Sequence, residues 1–158
     1  FEDEPEMNEV GQVVIEAPIK GEVISLAEVK DQTFASGLLG DGFAIVPSEG
    51  KVYAPFDGVC ENIFDTLHAL GLKSKEGVEL LIHVGLETVT LGGKPFTAHV
   101  KAGQQIKKGD LLWNADLHYI KENAVDDCLL MIVTKGQGSL EKIYGNKKSG
   151  ETVLKIRK

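Results

Sequence analysis

The chain has 158 residues and a mass of 17.1 kDa, a length that favours one domain whose core is stable without disulfides. Its 17 basic and 24 acidic residues give a net charge of -7, which argues against a nucleic-acid or anionic-membrane partner. It has no apolar run of the roughly 20 residues that span a membrane, and its N-terminus has no signal-peptide pattern. It has only two cysteines, Cys60 and Cys128. We therefore expect a cytoplasmic protein.

The N-terminus differs in composition from the rest of the chain. Five of its first nine residues are acidic, and another is Pro5. Such a segment buries too little apolar surface to fold, so we expect residues 1–10 to be a linker or disordered lead-in and residues 11–158 to be the domain. The chain begins with Phe1 rather than Met, which indicates a fragment of a longer protein or a processed product.

Short apolar stretches, each bounded by turn residues, follow from Gly11 onward. Gly accounts for 18 of the 158 residues, about 11% against a usual ~7%, and the glycines separate the stretches. This pattern is typical of strands joined by tight turns. It predicts strands at residues 13–15, 23–24, 43–46, 52–53, 59–64, 78–84, 111–113, 128–134 and 153–156.

Helices are few in this pattern. Asp116 can cap a short helix that continues from Leu117 to Asn123, and residues 31–36 can form another helical turn. The predicted fold class is therefore all-β, an antiparallel sandwich or barrel-sandwich hybrid with one or two short helical turns.

One motif occurs twice. Ala17-Pro18-x-x-Gly21 returns 37 residues later as Ala54-Pro55-x-x-Gly58, and each copy follows an apolar strand. The motif predicts a Pro-led turn, with Gly at a position of positive φ, that re-enters a strand. Two copies indicate a duplicated sheet motif.

Histidines are the main candidates for chemistry, and two of them belong together. His83 lies inside the most apolar predicted strand, and His68 begins the alternating segment before it. A hairpin centred near Lys75 and Glu76 places the two residues directly opposite each other, with Cβ atoms ~4.5–5.5 Å apart. A slip of one residue would place the rings on opposite faces. His99 and His118 are expected to be ordinary surface or structural residues.

Two neighbouring imidazoles are compatible with three chemistries. A metal site needs a third and usually a fourth ligand, and a serine-type triad needs a nucleophile for which the sequence has no motif. In phosphoryl transfer, one neutral imidazole attacks phosphorus while the other donates a hydrogen bond to the phosphoryl oxygens. Thr66 can hold the tautomer of His68 through its hydroxyl.

Several ordered motifs resemble one family. They are residues 40–47, Ala54-Pro55-x-x-Gly58, Thr66-x-His68-Ala69 and residues 77–89, and together they resemble the glucose-type IIA component of the phosphoenolpyruvate-dependent sugar phosphotransferase system. The resemblance implies a cytoplasmic β-sandwich in which His83 carries the phosphoryl group and His68 assists. It implies acceptance from the phosphocarrier HPr, donation to the cysteine of a IIB domain, and no cofactor or metal.

The resemblance also implies a partner-binding surface, an apolar depression with an acidic rim. Aromatic side chains are matched at two positions, while the third aromatic position holds Leu81; the acid four residues after the phosphorylated histidine is Glu87 in place of Asp. The implied surface consists of Phe34, Phe64, Leu39, Leu81, Val89, Asp31 and Glu87.

Alternatives remain for function and for context. Lysostaphin-type zinc peptidases resemble the predicted architecture but need a His-x-His pair, which this sequence lacks. The Gly-x-x-Ile-x-x-Gly-Asp-x-Leu hairpin at residues 103–112 is similar to those of biotinyl and lipoyl carrier domains, without their modified lysine motif. The acidic lead-in suggests a domain tethered to a membrane IIC domain, and a free-standing IIA protein is the alternative.

Overall fold

The computed structural model describes residues 12–29, 35–36, 40–64, 67–86, 93–124, 126–135 and 139–157. Across these ranges the chain is mostly β, as predicted. The elements are β1 Gln12–Glu16, β2 Gly21–Ser25, a 3-10 turn Leu26–Glu28, β3 Asp41–Pro47, β4 Lys51–Tyr53, β5 Gly58–Ile63, β6 Ala69–Ser74, β7 Glu79–Leu86, β8 Phe96–Ala98, β9 Gln105–Ile106, β10 Leu111–Ala115, α1 Leu117–Asn123, β11 Asp126–Lys135, β12 Ser139–Lys142, β13 Gly145–Lys147 and β14 Thr152–Arg157. None of the helices in these ranges has the length and apolar character needed to cross a membrane.

The strands in the described ranges form three antiparallel sheets. The large sheet has eight strands in the order β13-β2-β3-β11-β7-β6-β5-β9, and two smaller sheets have the orders β1-β14-β12 and β4-β10-β8. One face of the large sheet contributes to the main apolar core, which includes the fully buried Trp113 and Phe43. The arrangement is the predicted β-sandwich, and it is not closed into a barrel.

The other face of the large sheet, here called the outer face, carries a second and smaller apolar cluster. This cluster consists of Leu26, Val29, Ala44, Cys128, Leu130 and Ile132, with Ile24 and Leu81 packed against it. Strand β7 contributes to both faces, because Leu80, Ile82 and Val84 enter the main core while Leu81 lies on the outer face. Apolar contacts on both faces explain the almost continuous apolar sequence of this strand.

The repeated Ala-Pro motif marks a real duplication. The two copies lie side by side and bind each other reciprocally: the Glu16 N–H donates to the Pro55 carbonyl at 3.0 Å, and the Tyr53 N–H donates to the Pro18 carbonyl at 2.7 Å. The donors and the acceptors are each 37 residues apart. The two motifs therefore occupy equivalent positions about an approximate two-fold axis.

The glycines of this motif are required for a different reason than the sequence suggested. Gly21 and Gly58 are absent from the glycines with positive φ, so the expected left-handed turn is wrong. Each glycine instead begins a strand where a neighbour approaches closely. A Cβ at Gly21 would collide with the carbonyl oxygen of Val46, and one at Gly58 with that of Lys73.

A second pair of equivalent turns shows how far the duplication extends. The Ala54 N–H donates to the Asp110 carbonyl, and the Ala17 N–H donates to the Glu151 carbonyl, both at 2.7 Å. The two acidic residues follow Lys-Lys-Gly and Lys-Ser-Gly respectively, a similarity that is hard to see in the sequence because only two of the four positions are identical.

The predicted strands and the helix are present, whereas four short strands were not predicted. The helix has its expected cap, since Asp116 accepts a hydrogen bond from the Tyr119 N–H at 3.1 Å. The missed strands, β8, β9, β12 and β13, all lie at sheet edges, where polar side chains face solvent and the apolar pattern is lost. The second predicted helical turn, at residues 31–36, lies almost entirely outside the described residues.

Candidate functional site

The structure brings the imidazoles of His68 and His83 together. Their ring centroids are 5.0 Å apart, and the ring planes meet at 75°, an edge-to-face arrangement. His68 is 7% exposed, and His83 is half-buried. The two rings therefore form one site, partly shielded from water but open on the His83 side.

The strand register differs by one residue from the expected one. Ala69, rather than His68, lies directly opposite His83, because the turn between the strands closes with the Ser74 N–H donating to the Val78 carbonyl at 2.9 Å. The predicted direct opposition of the two histidines is thus wrong. Because Ala69 has only a methyl group, it leaves space beside His83 for the ring of its neighbour.

His68 lies just before the first residue of β6, which explains how its ring reaches the outer face. Its carbonyl still accepts a hydrogen bond from the Val84 N–H at 2.8 Å. In a regular strand its side chain would share the core face of Leu70. Regular alternation does not extend to His68, because β6 begins at Ala69 and Leu67 has a φ of 59°.

The second face of the site is apolar. On the side of β7 away from β6, His83 lies opposite Leu130 of β11, a member of the outer-face cluster. Leu81 has the same orientation as His83, two residues earlier in the strand, and is half-buried against this cluster. The histidine pair therefore adjoins an apolar surface.

An exposed aromatic ring completes the described part of the site. The Phe64 ring lies 5.3 Å from the His68 ring at an angle of 68°. Although it adjoins a buried imidazole, Phe64 itself is 45% exposed. An exposed phenyl group costs free energy in water, and an aromatic ring at such a position is suited to contact another protein.

Burial sets the protonation state of His68. It lowers the pKa of this imidazole from its ordinary value of 6.5, since removal of water disfavours the charged ring. His68 is consequently neutral at pH 7, with one N–H donor and one acceptor nitrogen. In His83 the Nδ1 atom is buried, so Nε2 is the nitrogen that can meet a partner.

Six of the sequence-predicted site residues lie outside the described residues. They are Thr66, Phe34, Leu39, Val89, Asp31 and Glu87. The described part of the predicted site consists of His68, His83, Phe64 and Leu81.

The other two histidines are occupied elsewhere. A ring nitrogen of His99 is 3.0 Å from the Asn114 amide, and His118 pairs with Glu122 at 3.4 Å on the surface of α1. Among the described residues, no group of three His, Cys, Asp or Glu side chains is arranged to hold a metal ion.

Sequence reasoning missed three residues that shape the site. Ala69 follows His68 directly and was visible in the Thr-x-His-Ala motif, although its place opposite His83 depends on the register. Leu130 had no signal, because it is one of several apolar residues in a long strand. Leu67 had none either, because Leu is rare at positive φ.

Known proteins resemble this chain in sequence and in structure. Residues 13–138 match the family described as phosphoenolpyruvate-dependent sugar phosphotransferase system, EIIA 1. Among solved structures, the chain is similar to the glucose permease IIA from Mycoplasma capricolum, with 36% sequence identity and a TM-score of 0.89. That match covers 92% of this chain and 96% of the other.

Proposed function

This chain belongs to the EIIA 1 family of the phosphoenolpyruvate-dependent sugar phosphotransferase system, a phosphotransferase component, and from that premise we propose that His83 is its phosphorylated residue. It accepts a phosphoryl group from phospho-HPr and donates it to the cysteine of a IIB domain. The observation that carries the proposal is the imidazole pair, with centroids 5.0 Å apart, beside an exposed aromatic ring.

Acceptance of the group requires a nucleophilic nitrogen that a partner can reach. The lone pair on Nε2 of neutral His83 forms a bond to phosphorus as the nitrogen–phosphorus bond of phospho-HPr breaks, and the electron pair of that bond returns to the HPr imidazole. Buried Nδ1 is unsuited to this attack. In the second transfer the IIB thiolate attacks the same phosphorus, and the bonding pair returns to Nε2 of His83.

His68 stabilises the transferring group. Its ring lies beside His83 in a nearly water-free position, where a hydrogen bond to a phosphoryl oxygen is stronger than in water. Burial lowers the pKa of His68, but a phosphoryl dianion raises the pKa of a neighbouring imidazole. The phosphoryl group therefore favours protonation of His68, the residue that stabilises it. While the ring is neutral, Thr66 orients the donating tautomer in this proposal.

The surface around the histidines receives the protein partners. Phe64, 45% exposed, and half-buried Leu81 supply apolar contacts on the two sides of the pair. The net charge of -7 complements a partner with an apolar face and a basic edge, such as HPr is expected to have. We assign the remaining contacts to Phe34, Leu39, Val89, Asp31 and Glu87.

The proposed context follows from the same function. A carrier that exchanges a phosphoryl group with HPr works in the cytoplasm, either as a free IIA protein or tethered through residues 1–10 to a permease. The transfer between two imidazoles and a thiolate needs no metal or organic cofactor, because positioning and hydrogen bonding supply the stabilisation of the phosphoryl group.

A labelling experiment tests the proposal. The full chain is incubated with phosphoenolpyruvate, enzyme I and HPr, and we expect an acid-labile, alkali-stable adduct of about 80 Da on His83. His83→Ala should abolish it, while the matched control His118→Ala, a change at the exposed histidine of α1, should be labelled normally. Labelling of His83→Ala at the wild-type rate would refute the assignment. Bound zinc or an acylated lysine in the mass spectrum would favour the peptidase or the biotinyl-like alternative.

A further inference from the structure

The turn that leads into β6 has an unusual backbone conformation. Leu67 has a φ of 59°, and within the part of the chain that the structure describes it is the one residue other than Gly with a positive φ. Residues with a Cβ avoid this region, because the Cβ approaches a carbonyl oxygen. Such strain persists only where surrounding contacts hold it, and it concentrates at functional sites.

Contacts on both sides of Leu67 hold this conformation. Its N–H donates to the Phe64 carbonyl at 2.7 Å, and the Phe64 N–H donates to the Ala69 carbonyl at 3.1 Å. The Leu67 side chain is partly buried and packs against the main core. Backbone hydrogen bonds therefore close the turn, while the apolar side chain anchors it to the body of the domain.

The strained turn immediately precedes the buried imidazole. By strand alternation the His68 side chain would point towards the core, on the face shared by Leu70 and Val84. Its ring lies instead beside that of His83, on the opposite face. The positive φ of Leu67 comes directly before His68 and interrupts the regular alternation, although the His68 carbonyl keeps its hydrogen bond to the Val84 N–H.

We propose that Leu67 is a positioning residue for the phosphoryl relay: anchored in the core and held in the left-handed conformation, it directs the imidazole of His68 onto the face of His83. This inference rests on the proposed function for its effect on the reaction. The structural part, the juxtaposition of two rings, is measured without any phosphoryl transfer. Leu67 itself contacts neither the phosphoryl group nor a partner in this scheme.

Three substitutions at Leu67 separate the effect of its apolar side chain, the anchor, from the effect of its positive φ. Leu67→Ala removes the anchor and keeps the cost of positive φ, Leu67→Gly removes both, and Leu67→Met keeps an apolar anchor of similar length. The matched control is Leu117→Ala, which truncates a partly buried leucine of α1 packed against the same core. Complete loss of a preorganised donor slows a reaction about 10²–10³-fold. For Leu67→Ala, which only misplaces the donor, we expect donation to slow about tenfold.

The readouts are the NMR cross-relaxation between the carbon-bound ring protons of the two histidines and the single-turnover rates of acceptance and donation. We expect Leu67→Ala and Leu67→Gly to weaken the cross-relaxation and slow donation, with acceptance within about twofold of wild type. Leu67→Met should restore both. Denaturant midpoints of all variants give the general loss of stability.

Two results would overturn the inference. One is wild-type cross-relaxation and donation in Leu67→Gly, which would show that the anchor is dispensable. The other is an equal slowing of donation by Leu117→Ala, which would assign the effect to stability alone. If His83→Ala were still labelled, the proposed function would fail instead. The cross-relaxation would then still show whether Leu67 places the His68 ring.

Discussion

The division of labour between the two histidines gives the sharpest prediction. His68→Gln replaces the assisting imidazole by a side chain that keeps an N–H donor but loses the ring and its ability to carry a positive charge. In the proposed mechanism, acceptance needs only a nucleophile, and His83 is that nucleophile. Donation requires His83 to leave from a phosphoryl group whose oxygens are held. We therefore expect donation to slow much more than acceptance.

The position of His68 sets the size of this effect. His68 is 7% exposed, and its ring centroid lies 5.0 Å from that of His83. The hydrogen bond that we propose from His68 to the phosphoryl group would therefore form almost out of water. Removing one such donor slows a reaction about 10²–10³-fold, or about 2.7–4 kcal/mol of activation free energy. Because Gln retains a donor on a more flexible side chain, we expect the lower end, a fall of about 10² in the donation rate.

The assay is a pair of single-turnover rates. Phospho-HPr is mixed rapidly with the domain to measure acceptance, and the isolated phospho-domain is mixed with IIB to measure donation. His118→Gln makes the same substitution at an exposed position and should leave both rates unchanged. Thr66→Ala should slow donation less than His68→Gln does. If both rates fall equally in His68→Gln, or acceptance falls more, His68 is a structural support rather than a stabiliser of the phosphoryl group.

Three further predictions concern stability and packing. Because burial lowers the pKa of His68 below 6.5, the stability contributed by its neutral ring is complete above pH 6.5 and is lost as the pH falls through the lower pKa of the folded state. Between about pH 7.5 and about pH 5, the urea midpoint should therefore fall more for wild type than for His68→Gln. Equal falls would contradict the lowered pKa. Gly58→Ala should cost about 3 kcal/mol by its clash with the Lys73 carbonyl, against about 1–2 kcal/mol for Gly77→Ala, where only the positive φ of 93° opposes the change; equal losses in denaturation would refute the close approach. Ala69→Leu should displace the neighbouring imidazole and slow donation in the same rapid-mixing assay, and unchanged donation would show that the small side chain is not needed.

Sequence patterns predicted those parts of the fold that are set by local burial or by a cap. The apolar stretch of β7 predicted a strand because both of its faces are buried, and Asp116 predicted the start of α1 because a carboxylate satisfies the free N–H of Tyr119. Edge strands such as β13 were not predicted, because each pairs with a strand on one side only and faces solvent on the other. Their short polar sequences therefore look the same as loops.

The proximity of His68 and His83 was predictable from the sequence, whereas the register that produces it was not. Two histidines before and within adjacent strands indicated the pair, but their register depends on which residues close the turn, here Ser74 and Val78. One residue of difference in that turn moved Ala69 into the place expected for His68. The two rings still lie together because Leu67 adopts a conformation that its local propensity opposes. Tertiary contacts hold this conformation, so the local sequence does not predict it.

The two halves of the duplicated domain are under different constraints. Gly21 opposite Pro47 in one copy corresponds to Gly58 opposite Ser74 in the other. Pro47 lies in β3 and Ser74 in β6. Five residues before them are Gly42 and Ala69, which are therefore counterparts. Gly42 lies opposite Ile132, which thus occupies the place of His83.

Asp41 precedes Gly42 as His68 precedes Ala69, so Asp41 is the counterpart of His68. The Asp41 carboxylate pairs with Lys142 at 2.6 Å. One copy therefore presents two imidazoles, and the other presents an aliphatic side chain and an ion pair in the equivalent positions. Selection for the proposed phosphoryl transfer can act on the copy with the histidines alone, while the other copy is constrained by packing. Substitutions at Ile132 should therefore affect the stability of the sheet, and those at His83 the proposed chemistry, although the two residues hold equivalent positions in strand pairing.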